Sequence, residues 1–360
     1  MKRVVAEISR SAILSNLASI RKSSFGARVC AVVKADAYGH GGVTVASVCE
    51  RAGVDFFAVA TKEEGIALRN GGIRSPILIL GYTPVSDAPL VAKYELAVTL
   101  FSKEHSSALA ARCAQLGIKI NAHIKVDTGM HRLGFAFDDL DTILDVCKHP
   151  CYNIDGIFSH FSSSDEAEES NFTASQKQRL IFVSEWLEAR GINIPIKHIA
   201  NSAAIFDGKY SLDMVRAGIA LYGYGNDSLI PAMTVKSHIV SLRRVSRGER
   251  VGYSSKYAVA GDSIIATVPA GYADGFRRDL CEKGVSLLVR GREARVFGRV
   301  CMDYMMLDVT EIDGISVGDE VIFFGNVKGH TAIDVATKLD TVPHEIMTSL
   351  SSRVERILVD

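Results

Sequence analysis

Residues 29–41 read V-C-A-V-V-K-A-D-A-Y-G-H-G, and this stretch is the starting point for interpreting the chain. Its first five residues form an apolar run, which is typical of a strand buried on both faces. The run ends on Lys34, and an aromatic and glycine-rich turn follows. An unpaired ammonium is costly to bury, so a lysine here must find a partner or lose its charge. The stretch therefore predicts a buried strand with a candidate functional lysine at its end.

Similar apolar runs recur before about residue 230. The strand candidates are Val29–Lys34, Phe56–Thr61, Ile77–Tyr82, Ala97–Phe101, Ile118–Asp127, Ile154–Phe161, Ile196–Asn201 and Val215–Tyr222. Amphipathic segments lie between them, and the clearest are Thr44–Ala52, Lys62–Asn70, Lys103–Leu116 and Ser175–Arg190. Strands that alternate with helices favour a parallel sheet with right-handed crossovers. About eight such units in roughly 200 residues predict a (β/α)8 TIM-type barrel over residues 9–231.

The pattern changes at Pro231, which we take as the domain boundary. Short β-rich runs follow, without long helices between them: Val235–Val245, Ser263–Val268, Val285–Val289, Ala294–Val300, Met305–Val309 and Glu320–Phe324. Such runs predict a mainly antiparallel β domain over residues 232–360, with a helical piece at Ala332–Lys338. We expect the strand in residues 1–8 to join this second domain.

Composition excludes several classes of partner. The 360 residues contain 41 Lys and Arg and 41 Asp and Glu, so no net field favours nucleic acid or an anionic membrane. The N-terminus has no apolar signal core, and no later run approaches the roughly 18 apolar residues of a membrane span. We expect a cytoplasmic protein. The seven cysteines are irregularly spaced, which favours reduced thiols. Cys147 and Cys151 flank His149, and packing is favoured there over a metal site.

Polar residues gather at the predicted carboxyl ends of the strands, where barrel enzymes place their active sites. They are Lys34, Tyr38, Lys125, Asp127, Arg132, His160, His198, Asn201, Ser202 and Arg216, with Gly218 and Ile219 beside them as possible backbone amide donors. This cation-rich ring suits a bound anion such as a phosphate. Taken singly, His160 and His198 also fit core histidines, and Lys125 with Asp127 fits a structural ion pair. A buried Arg216 needs a planar acceptor or an ion pair.

The motif V-V-K-A-D-A-Y-G-H-G closely resembles the cofactor-lysine motif of the alanine racemases, which are pyridoxal phosphate enzymes. The resemblance implies that Lys34 forms an imine with the cofactor and that Tyr38 touches its phosphate. A desolvated lysine has a lowered pKa and can act as such a nucleophile. No metal is implied.

Further barrel motifs extend the resemblance. In I-K-V-D-T-G-M-H-R-L-G, Arg132 is similar to an arginine at the cofactor's phenolic oxygen and the substrate, and Lys125 to a lysine that is often carbamylated. His160 in I-F-S-H-F resembles a histidine against the cofactor ring. In H-I-A-N-S-A, His198 resembles a supporting histidine and Ser202 a phosphate binder. M-V-R-A-G-I-A-L-Y-G implies that Arg216 faces the pyridine nitrogen and that the amides of Gly218 and Ile219 bind phosphate.

The β domain adds V-G-Y, G-Y-A-D-G and C-M-D. By resemblance, Tyr253 is the second catalytic base, Tyr272 lines the passage into the site, and Met302 binds the substrate carboxylate beside Asp303. The family's sites are shared in a homodimer, which implies that these residues come from the partner subunit. Taken alone, the tyrosines also fit interface aromatics.

The resemblance implies interconversion of L- and D-alanine, which supplies D-alanine for peptidoglycan. One base is needed on each face of the α-carbon, and Lys34 is expected on the D face with Tyr253 on the L face. A broader alanine and serine racemase is the alternative, because Ser352 stands where several members have tyrosine. A barrel amino-acid decarboxylase and a non-catalytic cofactor carrier fit less well: C-M-D has the racemase spacing, and a carrier would lack the β domain and Tyr253.

The chain also departs from the family pattern. His131 stands where the family usually has glycine, Ala217 where it has proline, Tyr304 where it has glutamine and His344 where it has tyrosine. An arginine partner hardly gives its proton to the pyridine nitrogen, so Arg216 should restrain transamination.

Overall fold

The computed structural model describes residues 2–164 and 170–360, so Met1 and residues 165–169 of the predicted ranges lie outside the described part. The described chain divides into two compact units. One contains residues 13–37 and 42–229, and the other contains residues 1–12, 38–41 and 230–360.

The unit of residues 13–37 and 42–229 is a closed parallel barrel. Its eight strands in the described part follow the order β5-β4-β3-β2-β10-β9-β8-β6, and β5 pairs with β6 to close the ring. Their bounds are β2 Arg28–Val32, β3 Phe56–Val59, β4 Ile77–Ile79, β5 Leu96–Leu100, β6 Ile120–Asp127, β8 Tyr152–Phe158, β9 Ile196–His198 and β10 Met214–Ala217. A short strand, β7 Phe135–Ala136, pairs only with the end of β6. The predicted (β/α)8 barrel is confirmed.

Three neighbouring barrel strands, β3, β4 and β5, are almost entirely apolar, as expected for strands covered on both faces. Every residue of β3, β4 and β5 is buried. The helices before residue 230 are α1 Arg10–Ser23, α3 Gly42–Arg51, α4 Lys62–Asn70, α5 Ala88–Lys93, α6 Lys103–Leu116, α7 Leu140–Cys147, α8 Ser170–Glu188 and α9 Ser202–Asp207. A short turn, α2 Lys34–Tyr38, follows β2 with one residue, Val33, between them.

The other unit is built on a mainly antiparallel sheet. In the described residues its order is β12-β15-β18-β17-β16-β19-β11-β1-β20. The bounds are β1 Val5–Ser9, β11 Met233–His238, β12 Ser241–Val245, β15 Ser263–Val268, β16 Ser286–Val289, β17 Arg292–Val296, β18 Met305–Asp308, β19 Glu320–Phe324 and β20 Glu355–Val359. The N-terminal strand β1 pairs antiparallel with β11 and parallel with β20. The β domain of the predicted fold class is confirmed.

Smaller elements complete this unit. A hairpin pairs β13 Arg250–Val251 with β14 Tyr257–Ala258, and two helices, α10 Ala332–Lys338 and α11 Pro343–Thr348, lie near the C-terminus. The run Val235–Val245 is two strands instead of the predicted one. The two strands are separated at Ile239 and Val240, because β11 pairs with β19 whereas β12 pairs with β15. The amides of Ile239 and Val240 donate to Asp319 O and Thr267 O at 2.9 Å each. None of the described helices is long and apolar enough to cross a membrane.

Candidate active site

Lys34 stands at the start of an unusual left-handed turn. Ala35, Asp36 and Ala37 have φ values of 51°, 53° and 55°, and Tyr38 has 52°. The left-handed conformation costs a residue with a side chain about 1–2 kcal/mol, so such a run needs external support. The Asp36 carboxylate gives part of it by accepting the Gly42 N–H at 2.6 Å, and Glu64 accepts the Ala35 N–H at 2.7 Å.

Positive charge surrounds Lys34. Burial lowers the pKa of Lys34 below the ordinary lysine value, and the charges of Arg132 and Arg216 lower this pKa further while Glu64 opposes them. A lower pKa increases the neutral fraction of the amine, and only the neutral amine is a nucleophile. The barrel therefore prepares Lys34 for covalent chemistry.

Arg216 is fixed inside the barrel by hydrogen bonds to neutral groups. On β10 it is 3% exposed, and its NH1 donates to His198 Nδ1 at 2.7 Å. Its NH2 donates to Ser159 O at 2.8 Å, to Ile199 O at 3.0 Å and to His160 Nδ1 at 3.1 Å. Burial lowers the pKa of Arg216 to about 10, so it stays charged near neutral pH.

The imidazole behind Arg216 belongs to a buried pair. Because His198 Nδ1 accepts from Arg216, its Nε2 carries the proton and donates to His123 Nδ1 at 2.9 Å. That leaves the proton of His123 on Nε2, which has no hydrogen-bond partner in the described structure. Burial lowers the pKa of His123 to about 3 and that of His198 well below its usual value, and Arg216 acts in the same direction. Both rings are held neutral.

A β-bulge gives His123 its room. The pairing of β6 with β8 shifts register so that His123 stands opposite Gly156. A Cβ atom at Gly156 would overlap the His123 ring, so the position requires glycine.

Lys125 lies in the same row of side chains. It pairs in register with Phe158, which pairs with His198 on β9. The Lys125 Nζ is 4.5 Å from the centroid of the Phe158 ring, and this ring stacks on His198 with 4.7 Å between ring centroids. Burial lowers the pKa of Lys125 well below the lysine value, and Arg216 and Arg132 add to the effect.

The alternative pair of Lys125 with Asp127 is not among the ion pairs of the described residues. Asp127 Oδ1 instead accepts the amides of Gly129, Met130 and His131 at 2.9, 3.1 and 3.1 Å. His131 has a φ of 55°, a left-handed conformation that glycine adopts without steric cost. This turn presents Arg132, which is exposed and whose charge acts on Lys34 and His160.

Ser202 and the loop after β10 form a small group of hydrogen-bond donors. The Ser202 Oγ accepts the Gly218 amide at 3.0 Å and the Ala220 amide at 3.2 Å, so its own hydrogen remains available. The amide of Ile219 has no acceptor among the described residues. These two donors, beside a cationic ring, fit an anionic group such as a phosphate.

In the β unit, three loops bring the other predicted residues to one edge. The amides of Tyr272 and Ala273 donate to Cys301 O and Met302 O at 3.0 Å each, and a Cβ at Gly271 would overlap Met302 O. The Tyr253 loop is adjacent, because Arg299 NH1 donates to Ser254 Oγ at 3.3 Å.

The side chains on this edge face solvent. The exposed fraction is 62% for Tyr253, 44% for Tyr272, 53% for Met302 and 48% for Tyr304. So much exposed apolar surface in one place is typical of an interaction site.

Ion pairs stiffen the same edge. The buried Asp274 accepts the Gly271 amide at 2.9 Å and faces Arg353 Nε at 3.4 Å, while Arg353 NH2 donates to Asp303 at 2.7 Å. The exposed Ser352 directly precedes Arg353.

Tyr38 is grouped with this unit. Its ring lies 5.6 Å from that of His344 on α11, centroid to centroid, and Arg356 Nε donates to Gly39 O at 3.0 Å. Burial raises the pKa of Tyr38 to about 12, so its hydroxyl stays protonated.

The predicted residues therefore form two sets. The barrel brings together Lys34, Lys125, Arg132, His160, His198, Ser202, Arg216, Gly218 and Ile219, and the β unit brings together Tyr253, Tyr272, Met302, Asp303 and Ser352. Sequence reasoning missed Glu64 and His123. Two signals point to them: Thr61 to Glu64 has the spacing of a capping box, and His123 precedes Lys125 by two on one strand.

The barrel holds a lysine of lowered pKa and two hydrogen-bond donors that are free to bind a phosphate. It also holds a ring of cations without a matching set of carboxylates. These features are typical of a pyridoxal phosphate enzyme of the barrel class. No group of three or more metal-ligating side chains is found in the described residues.

Comparison with known proteins agrees with that class. The models for "Alanine racemase, N-terminal domain" and "Alanine racemase, C-terminal domain" match residues 8–226 and 232–358. Alanine racemase 2 of Caldanaerobacter subterraneus subsp. tengcongensis is 42% identical over 98% of this chain and 94% of its own. Alanine racemase of Clostridium tetani is 39% identical over 100% of this chain and 96% of its own.

A solved structure of alanine racemase from Clostridium difficile 630 superposes with a TM-score of 0.93 at 39% identity, covering 98% of this chain and 95% of that one. The chain belongs to the alanine racemase family, whose members depend on pyridoxal phosphate.

Proposed function

We propose that this protein interconverts L-alanine and D-alanine with pyridoxal phosphate bound to Lys34. The observation that carries the proposal is the position of Lys34 at the end of β2, where burial and two arginines lower the pKa of its amine. Full-length similarity to alanine racemases supports the choice of substrate.

The barrel residues fit the cofactor. The Ser202 hydroxyl and the Ile219 amide would hold its phosphate, joined by Tyr38. The Gly218 amide, predicted as a third phosphate donor, donates to Ser202 Oγ at 3.0 Å instead and so acts through that side chain. Arg132 would face the phenolic oxygen. Arg216 would donate to the pyridine nitrogen, and the ring would lie against His160. When bound, pyridoxal phosphate supplies a conjugated sink for the electrons of the α-carbon bond.

Proton transfer then needs two groups on opposite faces. We assign the D face to Lys34 Nζ, because its lowered pKa increases the fraction of neutral amine that can accept a proton. We assign the L face to the Tyr253 hydroxyl of the partner subunit. The cations of the barrel would favour a tyrosinate that approaches them. Met302 would bind the substrate carboxylate, with Tyr272 and Asp303 along the passage into the site.

The exposed edge of the β unit supports a homodimer with shared sites. Tyr253, Tyr272 and Met302 present a large apolar surface that a second copy of the chain would cover. We also propose that residues 9–231 and residues 232–360 with 1–8 are the functional domains, that the enzyme is cytoplasmic, and that its D-alanine serves peptidoglycan synthesis.

Incubation of the cofactor-loaded protein with L-alanine in heavy water tests the function. We expect loss of optical rotation together with deuterium at the α-carbon, and neither in Lys34→Ala. A cofactor bound to Lys34 without any exchange would contradict the proposal.

A broader alanine and serine racemase is the second candidate, and Ser352 favours it. A hydroxymethyl group in place of a phenol leaves room while keeping a hydroxyl that can form hydrogen bonds. We expect Ser352→Tyr to lower the kcat/KM for serine relative to alanine by about tenfold, since a lost polar contact of this kind is worth about 1.4 kcal/mol. An unchanged preference between serine and alanine would contradict the argument based on Ser352.

A further inference from the structure

Glu64 occupies the third position of helix α4, after the N-cap Thr61. The Thr61 Oγ1 accepts the Glu64 amide at 3.3 Å, and Glu64 Oε2 accepts the Thr61 amide at 3.4 Å. This reciprocal pair is a capping box, whose ordinary role is to satisfy the first amides of a helix.

The Glu64 carboxylate also makes two shorter contacts. Its Oε1 accepts the Ala35 amide and its Oε2 accepts the Ala60 amide, both at 2.7 Å. Ala35 directly follows Lys34, and Ala60 directly follows β3. One carboxylate therefore ties together the ends of two neighbouring barrel strands.

This bridge fastens the first peptide of the left-handed turn. The turn has positive φ values from Ala35 to Tyr38. None of these residues is glycine, so the conformation has to be imposed from outside. Asp36 holds the far end of the turn through Gly42, and Glu64 holds the end next to Lys34.

Glu64 also differs in charge from its surroundings. The charged groups that act on Lys34 come from three places: Arg132 after β6, Arg216 on β10 and Glu64 on α4. The charge of Lys34 in turn acts on His160, after β8. Of these groups only Glu64 is negative.

We propose that Glu64 is a positioning residue for Lys34: its carboxylate clamps the Ala35 and Ala60 amides, aims the lysine side chain and supplies the negative charge that balances the two arginines. Through this clamp Glu64 sets how readily Lys34 takes up the cofactor. The inference rests on the proposed role of Lys34 in binding pyridoxal phosphate.

The test measures the Lys34 amine itself. Full-length protein, freed of cofactor with hydroxylamine and dialysed, is labelled with acetic anhydride over a range of pH. The extent of acetylation of Lys34 is read by mass spectrometry. The anhydride reacts with the neutral amine only, so the pH midpoint of labelling is the pKa of Lys34. Protein loaded with pyridoxal phosphate should be protected at Lys34.

Three variants separate charge from geometry. Glu64→Gln removes the charge, so we expect the pKa of Lys34 to fall by about 0.5–1 unit and its labelling near pH 7 to be about three- to tenfold faster. Glu64→Asp keeps the charge on a shorter side chain that cannot span both amides. We expect it to have the wild-type midpoint but slower cofactor uptake, followed by absorbance.

Glu63→Gln is the matched control, because Glu63 is exposed and pairs with Lys62 at 3.1 Å. We expect it to behave as wild type. A wild-type labelling midpoint in folded Glu64→Gln, an equal shift in Glu63→Gln, or wild-type cofactor uptake in Glu64→Asp would overturn the proposal. Melting curves show which variants are folded. Since labelling needs no alanine, a failure of racemisation alone would count against the proposed function and leave this result standing.

Discussion

The site residues of the barrel and those on the exposed edge of the β unit supply the two halves of the proposed chemistry, and the two groups differ in burial. Arg216, His198 and His123 are buried and joined by hydrogen bonds of 2.7 and 2.9 Å. Tyr253 and Met302 are more than half exposed. The first set finds its partners within its own unit, whereas the second offers apolar surface to something outside it.

The contrast explains what each region needs. A buried arginine is tolerated because carbonyls and neutral imidazoles accept its hydrogens, so the fold alone makes the barrel site. The exposed tyrosine and methionine gain their role only when another surface covers them. Substitutions in the barrel should therefore act within one chain, and those at the edge should act across two.

The largest effect is expected at Lys34. Lys34→Ala removes both the cofactor attachment and one base, and we expect kcat/KM for alanine to fall by about 10⁴-fold or more. Racemisation rate and cofactor absorbance measure it. Lys103→Ala, at an exposed helix start, is the control and should keep wild-type activity.

Tyr253→Phe should come next. Without the hydroxyl the L face loses its base, so we expect racemisation to fall by about 10²–10⁴-fold. Exchange of the α-proton of D-alanine in heavy water should persist, because Lys34 serves that face. Tyr304→Phe, a neighbouring exposed tyrosine, is the control. Equal losses from both enantiomers would contradict the division of faces.

Arg216→Glu tests the partner of the pyridine nitrogen. Arginine donates a hydrogen bond but keeps its proton, whereas a carboxyl group allows the ring nitrogen to be protonated. We expect the ratio of pyruvate to inverted alanine to rise by about tenfold, a change of about 1.4 kcal/mol between the two barriers. Arg216→Gln separates loss of charge from gain of an acid. The same ratio in all three proteins would contradict the argument.

The smallest effect concerns acid stability. His123 has a folded pKa of about 3 because of burial, so between about pH 6.5 and 3 the unfolded chain binds the extra proton. Stability is fully present above about pH 6.5 and is lost as the pH falls. In His123→Gln the free energy of unfolding should fall less steeply with pH in this range, by about 1.4 kcal/mol per pH unit. Urea unfolding of both proteins at pH 7 and pH 5 measures the difference. An equal loss of stability in both proteins between pH 7 and pH 5 would contradict a lowered pKa of His123.

Sequence was sufficient for the parts of the site that depend on strand order. Continuous apolar runs located the barrel strands, and because parallel strand ends meet on one face, Lys34, His160 and Arg216 were expected together. The contacts of Arg216 and the cationic environment of Lys34 agree with that expectation. The alternative Lys125–Asp127 pair was wrong because Asp127 is taken up by three backbone amides.

Other features depend on details that residue patterns do not carry. The segment A-D-A-Y, residues 35–38, has no glycine, so the sequence did not predict a left-handed turn there. The contact between His123 and His198 depends on a register shift near Gly156. Such features follow from tertiary packing and not from local preference.

Subunit mixing tests the central claim most directly. Lys34→Ala and Tyr253→Phe proteins, each nearly inactive, are combined, dissociated and reassembled. If sites are shared, half of the dimers are mixed and one of their two sites has both Lys34 and Tyr253. We therefore expect recovery of about a quarter of wild-type activity. No recovery, with mixed dimers present by native mass spectrometry, would contradict a site completed by the partner subunit.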